Sequence, residues 1–260
     1  MTLSNRKILR TLLCLLAGTL YAVCLSACGA KEPLSENRDA EIESPVIAND
    51  LSNQKVTAIA EDTQGHIWIG TFRGLNKNNV HDYHQYFCTD DSLGLPDNQI
   101  THLLRDSKNR FWVGTVNGVC LYTDKDNFRI IPIEADNKNV RQILEDRNGR
   151  IFLNTGFQLY AYHPREEKIT CVLPEISPGN AFYAQCHIAP DNNLWVMTST
   201  GLRCYDPSTL QLKESVALSG YPYYSYLHNN ELWITGNHTL SIFDTRTRSF
   251  KPLPQPIARN

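Results

Sequence analysis

Few residues of this sequence are spaced for catalysis or for binding a metal ion. No Ser-His-Asp order, phosphate-binding loop or zinc-ligand spacing stands out along the 260 residues. His81, Asp82 and His84 carry side chains that bind metals. They follow the first of several repeated segments, however, where a solvated loop is the more ordinary interpretation. The sequence therefore predicts no metal, no cofactor and no catalytic group.

Polar and aromatic residues that recur about once per repeat favour ligand binding instead. Their amides, hydroxyls, one cation and aromatic rings suit a neutral oligosaccharide, because sugar hydroxyls need donors and acceptors and sugar CH faces pack on tyrosine. Any one of these residues could equally be a polar loop residue, so the prediction concerns the cluster. The run GYPYYSY, residues 220–226, is its most unusual part. The predicted ligand-binding residues are Arg73, Asn98, Asn117, Gln158, Tyr183, Thr200, Tyr223 and His238.

The elements that position these residues come from a repeat. The string IAEDTQGHIWIGTFRGL, residues 59–75, returns as LLRDSKNRFWVGTVNGV at residues 103–119. Alignment on its central aromatic residue finds five units, with intervals of 44, 40, 43 and 38 residues between these positions. A fixed period of this size indicates a repeat architecture. We call the five residues at this position the anchor aromatics: Trp68, Trp112, Phe152, Trp195 and Trp233.

Each unit reads as four short antiparallel strands. Residues 99–105 and 110–115 have the composition of two strands, and DTQG and DRNG place Asp first and Gly fourth, as in type I turns. Third strands follow Gly74, Gly118 and Gly201, and outer strands are predicted near residues 128–133, 169–173 and 212–218. The second strand is apolar on both faces, which is expected where a neighbouring sheet covers each face.

The sequence thus predicts an all-β fold, a β-propeller with about five four-stranded blades visible, possibly part of a seven-bladed propeller. The anchor aromatics would then pack between blades. The loops between second and third strands and the segments leading into first strands would share the face that binds ligand. Alternate tyrosines of residues 220–226 would face the channel. The predicted units are residues 51–94, 95–136, 137–180, 181–219 and 220–260.

The first 28 residues have the features of an export signal. Arg6, Lys7 and Arg10 precede an apolar run over residues 12–25, which is short for a membrane-spanning helix. The run ends in Leu-Ser-Ala-Cys at residues 25–28, which resembles the lipobox of bacterial lipoproteins and predicts lipidation of Cys28. An ordinary signal peptide with a chance cysteine is the alternative. Residues 29–50 read as a tether, and both alternatives predict a periplasmic or outer-membrane-associated protein.

Composition and charge narrow the possible partners. The chain is 42% hydrophobic, with 25 basic and 27 acidic residues and a pI near 6.4, which is typical of a globular protein and not of a nucleic-acid-binding one. Five cysteines follow the tether, so at least one is unpaired within the chain. Export permits disulfides, but the sequence does not assign them.

The string ED..G.IWIGT..GL, matched by residues 61–75, resembles the two-component regulator propeller repeat. That repeat builds the periplasmic sensor portions of hybrid histidine-kinase regulators, many from gut Bacteroidetes, which detect oligosaccharides. Asn154, Met197 and Thr235 depart from the glycine of the repeat. The resemblance implies a ligand-sensing propeller of a two-component regulator, and this chain shows no kinase part. Either a closed five-bladed ring or the front part of a longer receptor is expected, and the latter is favoured.

Two other functions stay open. A lipoprotein scaffold could dock a protein through an open propeller edge or face, as a dimer or with the missing blades. An enzyme is the third possibility, and the string DTQGHIW resembles the Asp-box hairpin of sialidases without its serine and threonine. The string is explained by its turn, and the prediction is a protein that binds a ligand and is not an enzyme.

Overall fold

The computed structural model describes residues 45–89, 94–123, 125–176 and 184–253, which form β-strands and turns. The predicted export signal, the lipidation of Cys28, most of the predicted tether and the ligand contact by Tyr183 fall outside these ranges. Within these ranges, a search for a helix apolar and long enough to cross a membrane finds none.

The strands form five antiparallel sheets, which we call blades 1 to 5 in chain order. In blades 2 to 5 the strands lie side by side in sequence order, so the first strand is one edge of the sheet and the fourth is the other. In blade 1 the strand that comes first in the sequence is a fifth strand, and it lies at the outer edge beside the last strand of the blade. The all-β propeller fold predicted from the sequence is confirmed, as are the three predicted outer strands. The strands are β1 (Val46–Ala48), β2 (Val56–Glu61), β3 (Ile67–Thr71), β4 (Gly74–Asn79) and β5 (Asp82–Tyr86) in blade 1; β6 (Ile100–Arg105), β7 (Phe111–Thr115), β8 (Gly118–Tyr122) and β9 (Phe128–Ile131) in blade 2; β10 (Gln142–Glu145), β11 (Ile151–Asn154), β12 (Leu159–His163) and β13 (Lys168–Leu173) in blade 3; β14 (Gln185–Ile188), β15 (Leu194–Thr198), β16 (Gly201–Tyr205) and β17 (Leu212–Ala217) in blade 4; and β18 (Pro222–His228), β19 (Glu231–Gly236), β20 (Thr239–Asp244) and β21 (Ser249–Lys251) in blade 5.

Successive blades stack through their faces. The first strands contact one another in order, from β2 to β6, β10, β14 and β18. Every residue of β7, β11 and β15 is buried, as expected for second strands that have a blade on each side. In β3 and β19 of the two terminal blades, burial alternates with partial or full exposure. The burial of the second strand therefore depends on how many blades pack against it.

An aspartate organises the turn between the first two strands. Asp106 Oδ1 accepts hydrogen bonds from the backbone N–H groups of Lys108 and Arg110 at 3.0 and 2.9 Å. Its Oδ2 accepts the Trp112 indole N–H at 2.8 Å. Asn109 closes this turn at φ 62°, a conformation that asparagine tolerates well. The DSKNRFW segment thus carries its own turn and orients the indole that packs on the next blade.

Four anchor aromatics lie between blades, as predicted. Trp68 contacts the rings of Phe111 and Tyr122 on blade 2, with centroids 5.0 and 4.7 Å apart. Trp112 meets Tyr162 of blade 3 at 4.9 Å, edge to face. Phe152 and Trp195 are likewise buried in the cores against blades 4 and 5. Such rings bury large areas and provide much of the adhesion between blades.

The glycine after the anchor aromatic makes room for the neighbouring blade. A Cβ on Gly70 would lie 2.5 Å from the Ile100 side chain of blade 2, closer than carbon atoms can approach. In blade 3 the equivalent Asn154 donates its amide to the Ala184 carbonyl of blade 4 at 3.1 Å. This departure from the repeat therefore keeps the close approach and adds a hydrogen bond between blades.

The fifth anchor aromatic does not pack between blades of this chain, which corrects the prediction for that position. Leu232 and Phe243 face blade 4, and Trp233, which alternates with Leu232 along β19, lies on the opposite face and is only partly buried. Tyr224 and Tyr226 share that outer face and are both 61% exposed. Blade 5 thus presents the type of face that blades 1 to 4 cover with the next blade.

Three further details differ from or complete the sequence predictions. Asp82 and His84 lie in β5, the outer strand of blade 1, and not in a solvated loop. The strand β1 comes from the segment predicted to be tether and pairs with β5. Cys120 and Cys204 are buried in third strands as predicted, and Cys120, Cys171, Cys186 and Cys204 are free thiols.

Candidate functional site

Three of the five first strands carry a bulge next to the cavity described below. The pairing of β2 with β3 slips between Val56 and Ala58, which leaves Thr57 as the extra residue. Equivalent slips leave Thr101 in β6 and Tyr223 in β18 as extra residues. A bulge redirects a side chain that would otherwise lie on the face of the sheet, and bulges are common next to functional sites.

Five equivalent residues line one central cavity of about 490 Å³. In each blade, the residue two positions after the anchor aromatic pairs with a residue of the first strand, for example Gly70 with Ala58 and Asn154 with Gln142. The residue just before that partner in the sequence is the one that lines the cavity. We call these five residues the inner ring: Thr57, Thr101, Arg141, Ala184 and Tyr223. The cavity is completed by Phe72, Gln99, Ile100, Val116, Asn139, Gln142 and Gln185.

The cavity lies on the face predicted to bind ligand. Phe72 and Val116 belong to turns between second and third strands, and Gln99 leads into a first strand. Backbone hydrogen bonds join the two kinds of segment, for example from Gly74 N–H to the Asn98 carbonyl at 2.7 Å. Val116 N–H donates likewise to the Gln99 carbonyl at 3.2 Å. The shared face of these segments, inferred from the propeller fold, is therefore observed.

A threonine fixes the turns that form this face. Thr71 Oγ1 donates to the Gly74 carbonyl at 2.8 Å and accepts the Arg73 backbone N–H at 3.1 Å. Thr115 and Thr198 repeat the first of these bonds in blades 2 and 4, at 3.0 and 2.9 Å. The three bonds from threonine to the glycine carbonyl are buried, so they fix the base of each turn while its two central residues face outward. Rigid turns of this kind suit a surface that must keep one shape for a ligand.

Of the eight predicted ligand-binding residues, Tyr223 lines the cavity. Arg73 and Asn117 are exposed next to the lining residues Phe72 and Val116. Asn98 adjoins Gln99 and its Oδ1 accepts the Cys88 N–H at 2.7 Å. The remaining three described residues lie in turns between second and third strands away from the lining: Gln158, Thr200 and His238. Tyr183 lies outside the described residues, and a role for all eight stays a prediction.

The prediction for residues 220–226 needs correction in one respect. Tyr223 reaches the cavity because it is the bulged residue of β18. Tyr224 and Tyr226 lie on the outer face of blade 5, because the two faces of a regular strand point sideways toward neighbouring blades. Alternation along a first strand therefore does not place side chains in the channel.

Sequence reasoning missed most of the inner ring, although a signal for it exists. Thr57, Thr101, Arg141 and Ala184 each precede their anchor aromatic by eleven residues, and Tyr223 precedes Trp233 by ten. The fixed offset was readable from the repeat alignment. What the sequence did not show is that this position faces the cavity, which in blades 1, 2 and 5 results from a bulge.

Two buried oxygen atoms of the cavity residues have no protein partner. Thr57 Oγ1 and Asn139 Oδ1 are buried and make no hydrogen bond within the described part of the chain. Burying a polar atom without a partner costs free energy, so such atoms are rare in folded proteins and often mark a site for water or ligand. They supply a hydroxyl and a carbonyl oxygen for recognition.

Two of the three glutamines of the lining are already engaged between blades. Gln142 Oε1 accepts the Cys186 N–H at 2.9 Å, and Gln185 Oε1 accepts the Ser225 N–H at 2.6 Å. His187 also bonds across this interface, from Nε2 to Ser225 Oγ at 2.8 Å. Burial lowers the pKa of His187 to about 4, so the ring is neutral at pH 7. These groups hold the first strands together beside the cavity.

Comparison with known proteins agrees with the repeat and the fold. The family model described as "Two component regulator propeller" matches residues 50–73 and 94–117. No curated protein sequence matches the chain significantly. The resemblance of the repeat seen in the sequence is thereby confirmed for the first two units.

Solved structures with the same fold include both sensors and enzymes. The extracellular domain of a hybrid two-component system from B. thetaiotaomicron is 19% identical with a TM-score of 0.66, over 80% of this chain and 31% of that one. Virginiamycin B lyase from Staphylococcus aureus is also 19% identical, with a TM-score of 0.61 over 82% of this chain and 75% of the lyase. The chain spans about a third of the length of the sensor domain. The chain is therefore a β-propeller whose first two blades contain segments that match the two-component regulator propeller repeat.

Proposed function

We propose that this chain is the ligand-sensing propeller of an extracytoplasmic two-component signalling regulator, and that its central cavity binds an oligosaccharide. The observation that supports this most is the inner ring, in which five blades each contribute one residue to a single cavity. The regulator-type repeats at residues 50–73 and 94–117 support the signalling role.

The lining fits sugar recognition by its chemistry. Tyr223 and Phe72 offer ring surface for the CH face of a sugar, and Thr57 and Asn139 offer oxygen atoms without protein partners. Binding sites of this kind are concave, with a few oriented polar groups among apolar ones. The lining contains no pair of acidic or histidine side chains among the described residues, so we propose binding and not catalysis.

Glycan-array screening of the purified chain, followed by titration of each hit, tests this function. We expect Tyr223→Ala and Arg73→Ala to weaken binding about tenfold, since a buried aromatic contact or a charge-assisted hydrogen bond contributes about 1.4 kcal/mol or more. Tyr224→Ala is the matched control, because this neighbouring tyrosine lies on the outer face of blade 5. If each glycan hit binds to both variants as tightly as to wild type, the ligand does not bind at the face that carries the central cavity.

We propose further that the protein is exported and anchored to a membrane through lipidated Cys28. The lipobox-like residues 25–28 and the extracellular location named for the similar sensor domain support this. Metabolic labelling with a fatty-acid analogue tests the anchor: label should be absent from Cys28→Ala. Equal labelling of both proteins would rule out lipidation at this residue.

The outer face of blade 5 supports a second candidate function, a scaffold that docks a protein. Tyr224, Tyr226 and Leu240 lie on this face with 42% to 61% of their surface exposed. Exposed apolar clusters of this kind mark interaction surfaces. The partner would be a second copy or further propeller blades, and pull-down with wild-type chain but not with Tyr226→Arg would support it.

A further inference from the structure

The charge of the cavity narrows the class of ligand, given the proposed function. We propose that the ligand is an acidic oligosaccharide, carrying a uronate or a sulfate group, whose anion binds the Arg141 guanidinium. This replaces the neutral sugar expected from the loop residues. The proposal rests on the function proposed above for the same cavity. It adds an anionic group on the ligand and names Arg141 as the residue that binds this group.

Arg141 gives the cavity its charge. Among the described lining residues, it is the one with a formal charge at pH 7, and the others are apolar, hydroxyl or amide side chains. A positive group in a concave site with apolar walls raises the local concentration of anions. The planar guanidinium also matches carboxylate and sulfate, because its parallel N–H groups donate two hydrogen bonds at once.

The backbone and one glycine hold Arg141 in place. Its N–H donates to the Asn154 carbonyl at 2.8 Å, and Asn154 Oδ1 accepts the Gly156 N–H at 2.7 Å. The side chain then passes over Gly156, where an added Cβ would lie 2.9 Å from Arg141 Nε. Gly156 has φ +89°, a conformation that side chains disfavour. The turn of blade 3 thus leaves a space that the arginine side chain fills.

A second cation stands at the rim of the same cavity. Lys55 Nζ lies 3.5 Å from the centroid of the Phe72 ring, and Phe72 lines the cavity. The Phe72 N–H bonds to the Lys55 carbonyl at 3.1 Å, which ties the lysine to this turn. Asp97 lies near the rim, but its Oδ1 accepts the Gln99 N–H at 2.8 Å and the residue is not part of the lining. The charges around the opening therefore favour an anion.

The rest of the lining fits the sugar part of such a ligand. Thr57 Oγ1 and Asn139 Oδ1 are buried without partners and suit sugar hydroxyls. Tyr223, on the fifth blade, offers a ring for stacking. Arg141 of blade 3 would bind the anion, and Tyr223 of blade 5 would stack on a sugar ring. The cavity of about 490 Å³ has the volume of a small-ligand site.

The test compares matched ligands on the full chain. An array presents uronate-containing and sulfated oligosaccharides, each beside its methyl ester or desulfated form, and isothermal titration measures the hits. Wild type should bind the acidic form at least about tenfold more tightly, because a hydrogen bond to a charged group is stronger than one to a neutral group. Arg141→Gln should remove this preference, and Arg141→Lys should restore part of it.

Arg147→Gln is the matched control. Arg147 belongs to the same blade but lies exposed in the turn between β10 and β11, and lines a different cavity. This variant should bind like wild type, and all variants should keep the wild-type melting temperature. The preference for the acidic ligand should also fall as salt rises from about 50 to about 500 mM, because the Debye length then shortens from about 14 to about 4 Å.

The outcomes separate the two proposals. If neutral and acidic forms bind equally and Arg141→Gln changes nothing, the acidic class is wrong while the sugar-binding function stands. If no oligosaccharide binds but inorganic sulfate raises the melting temperature of wild type and not of Arg141→Gln, the anion site stands and the sugar function fails. If neither probe binds, both proposals are overturned.

Discussion

The anchor position allows a direct measurement of how much a neighbouring blade contributes to stability. Trp112 and Trp233 occupy the same place in the repeat, one between two blades and one on an outer face. Trp112 is fully buried, packs on Tyr162 at 4.9 Å and donates its indole N–H to Asp106 at 2.8 Å. Trp233 is partly exposed, and its N–H reaches Glu231 at 3.3 Å. Comparing the two alanine variants therefore isolates the effect of the next blade.

The expected losses differ several-fold. Replacing a buried tryptophan by alanine costs about 3 to 5 kcal/mol through lost transfer energy and the cavity left behind. Trp112→Ala also removes a donor from the buried Asp106 carboxylate, which adds about 1 kcal/mol or more. Trp233→Ala leaves no enclosed cavity because one side of the ring has no blade against it, so we expect about 1 kcal/mol. The predicted difference is thus at least about 2 kcal/mol.

Equilibrium urea unfolding followed by far-ultraviolet circular dichroism measures both variants without depending on tryptophan fluorescence. The m-value should stay constant if the unfolded state is unchanged. The reasoning is refuted if Trp233→Ala costs as much as Trp112→Ala. That result would mean that the outer face of blade 5 is covered in solution, by ring closure or by another chain.

Three further predictions follow from the same contacts. Trp112→Phe should destabilise more than Trp195→Phe by about 1 kcal/mol in urea unfolding, because the Trp195 indole N–H has no partner among the described residues; equal losses would contradict this. Burial lowers the pKa of His187 to about 4, below its ordinary 6.5, so the unfolded chain binds a proton at this residue more readily than the folded one. The free energy of unfolding should therefore be at its full value above pH 6.5 and decrease by roughly 3 kcal/mol as pH falls toward 4. His187→Gln, which keeps a partner for Ser225, should flatten unfolding free energy over that range, and an unchanged slope would argue against it. We expect the wild-type chain to self-associate in sedimentation velocity and Tyr226→Arg to be more monomeric, since the arginine places a charge on an exposed apolar face. A wild type that is already monomeric would contradict the expectation.

The sequence predicted the scaffold well because the scaffold repeats. Period, turn chemistry and double-sided apolar strands are local signals, and each recurs in several units with the same physical cause. Asp106 and Trp112 illustrate this, since seven residues contain the turn, its carboxylate and the indole that donates a hydrogen bond to that carboxylate. Repetition turned weak local preferences into a firm prediction of blades.

Two parts of the structure were not readable in the same way. The exposure of Trp233 depends on whether a blade follows, which no local pattern in its own unit reveals. The inward direction of Thr57 and Thr101 depends on a register slip of one residue between two strands. Such a slip moves a side chain from the face of the sheet to its edge, and composition does not report it. The prediction accordingly selected turn residues beside the cavity and missed most of its lining.

The inner ring and the anchor aromatics differ in a way that follows from their tasks. Four of the five anchor positions fill a similar gap between two similar sheets, so the same kind of residue solves the problem each time: three are tryptophan and one is phenylalanine. The inner ring serves one asymmetric cavity, so its five members have to differ, and they are Thr57, Thr101, Arg141, Ala184 and Tyr223. Identity across repeats therefore marks packing, whereas variety at a fixed offset marks a shared site. Because only blade 3 contributes a charged residue to this ring, a ligand bound there must take one orientation, which a symmetric ring would not impose.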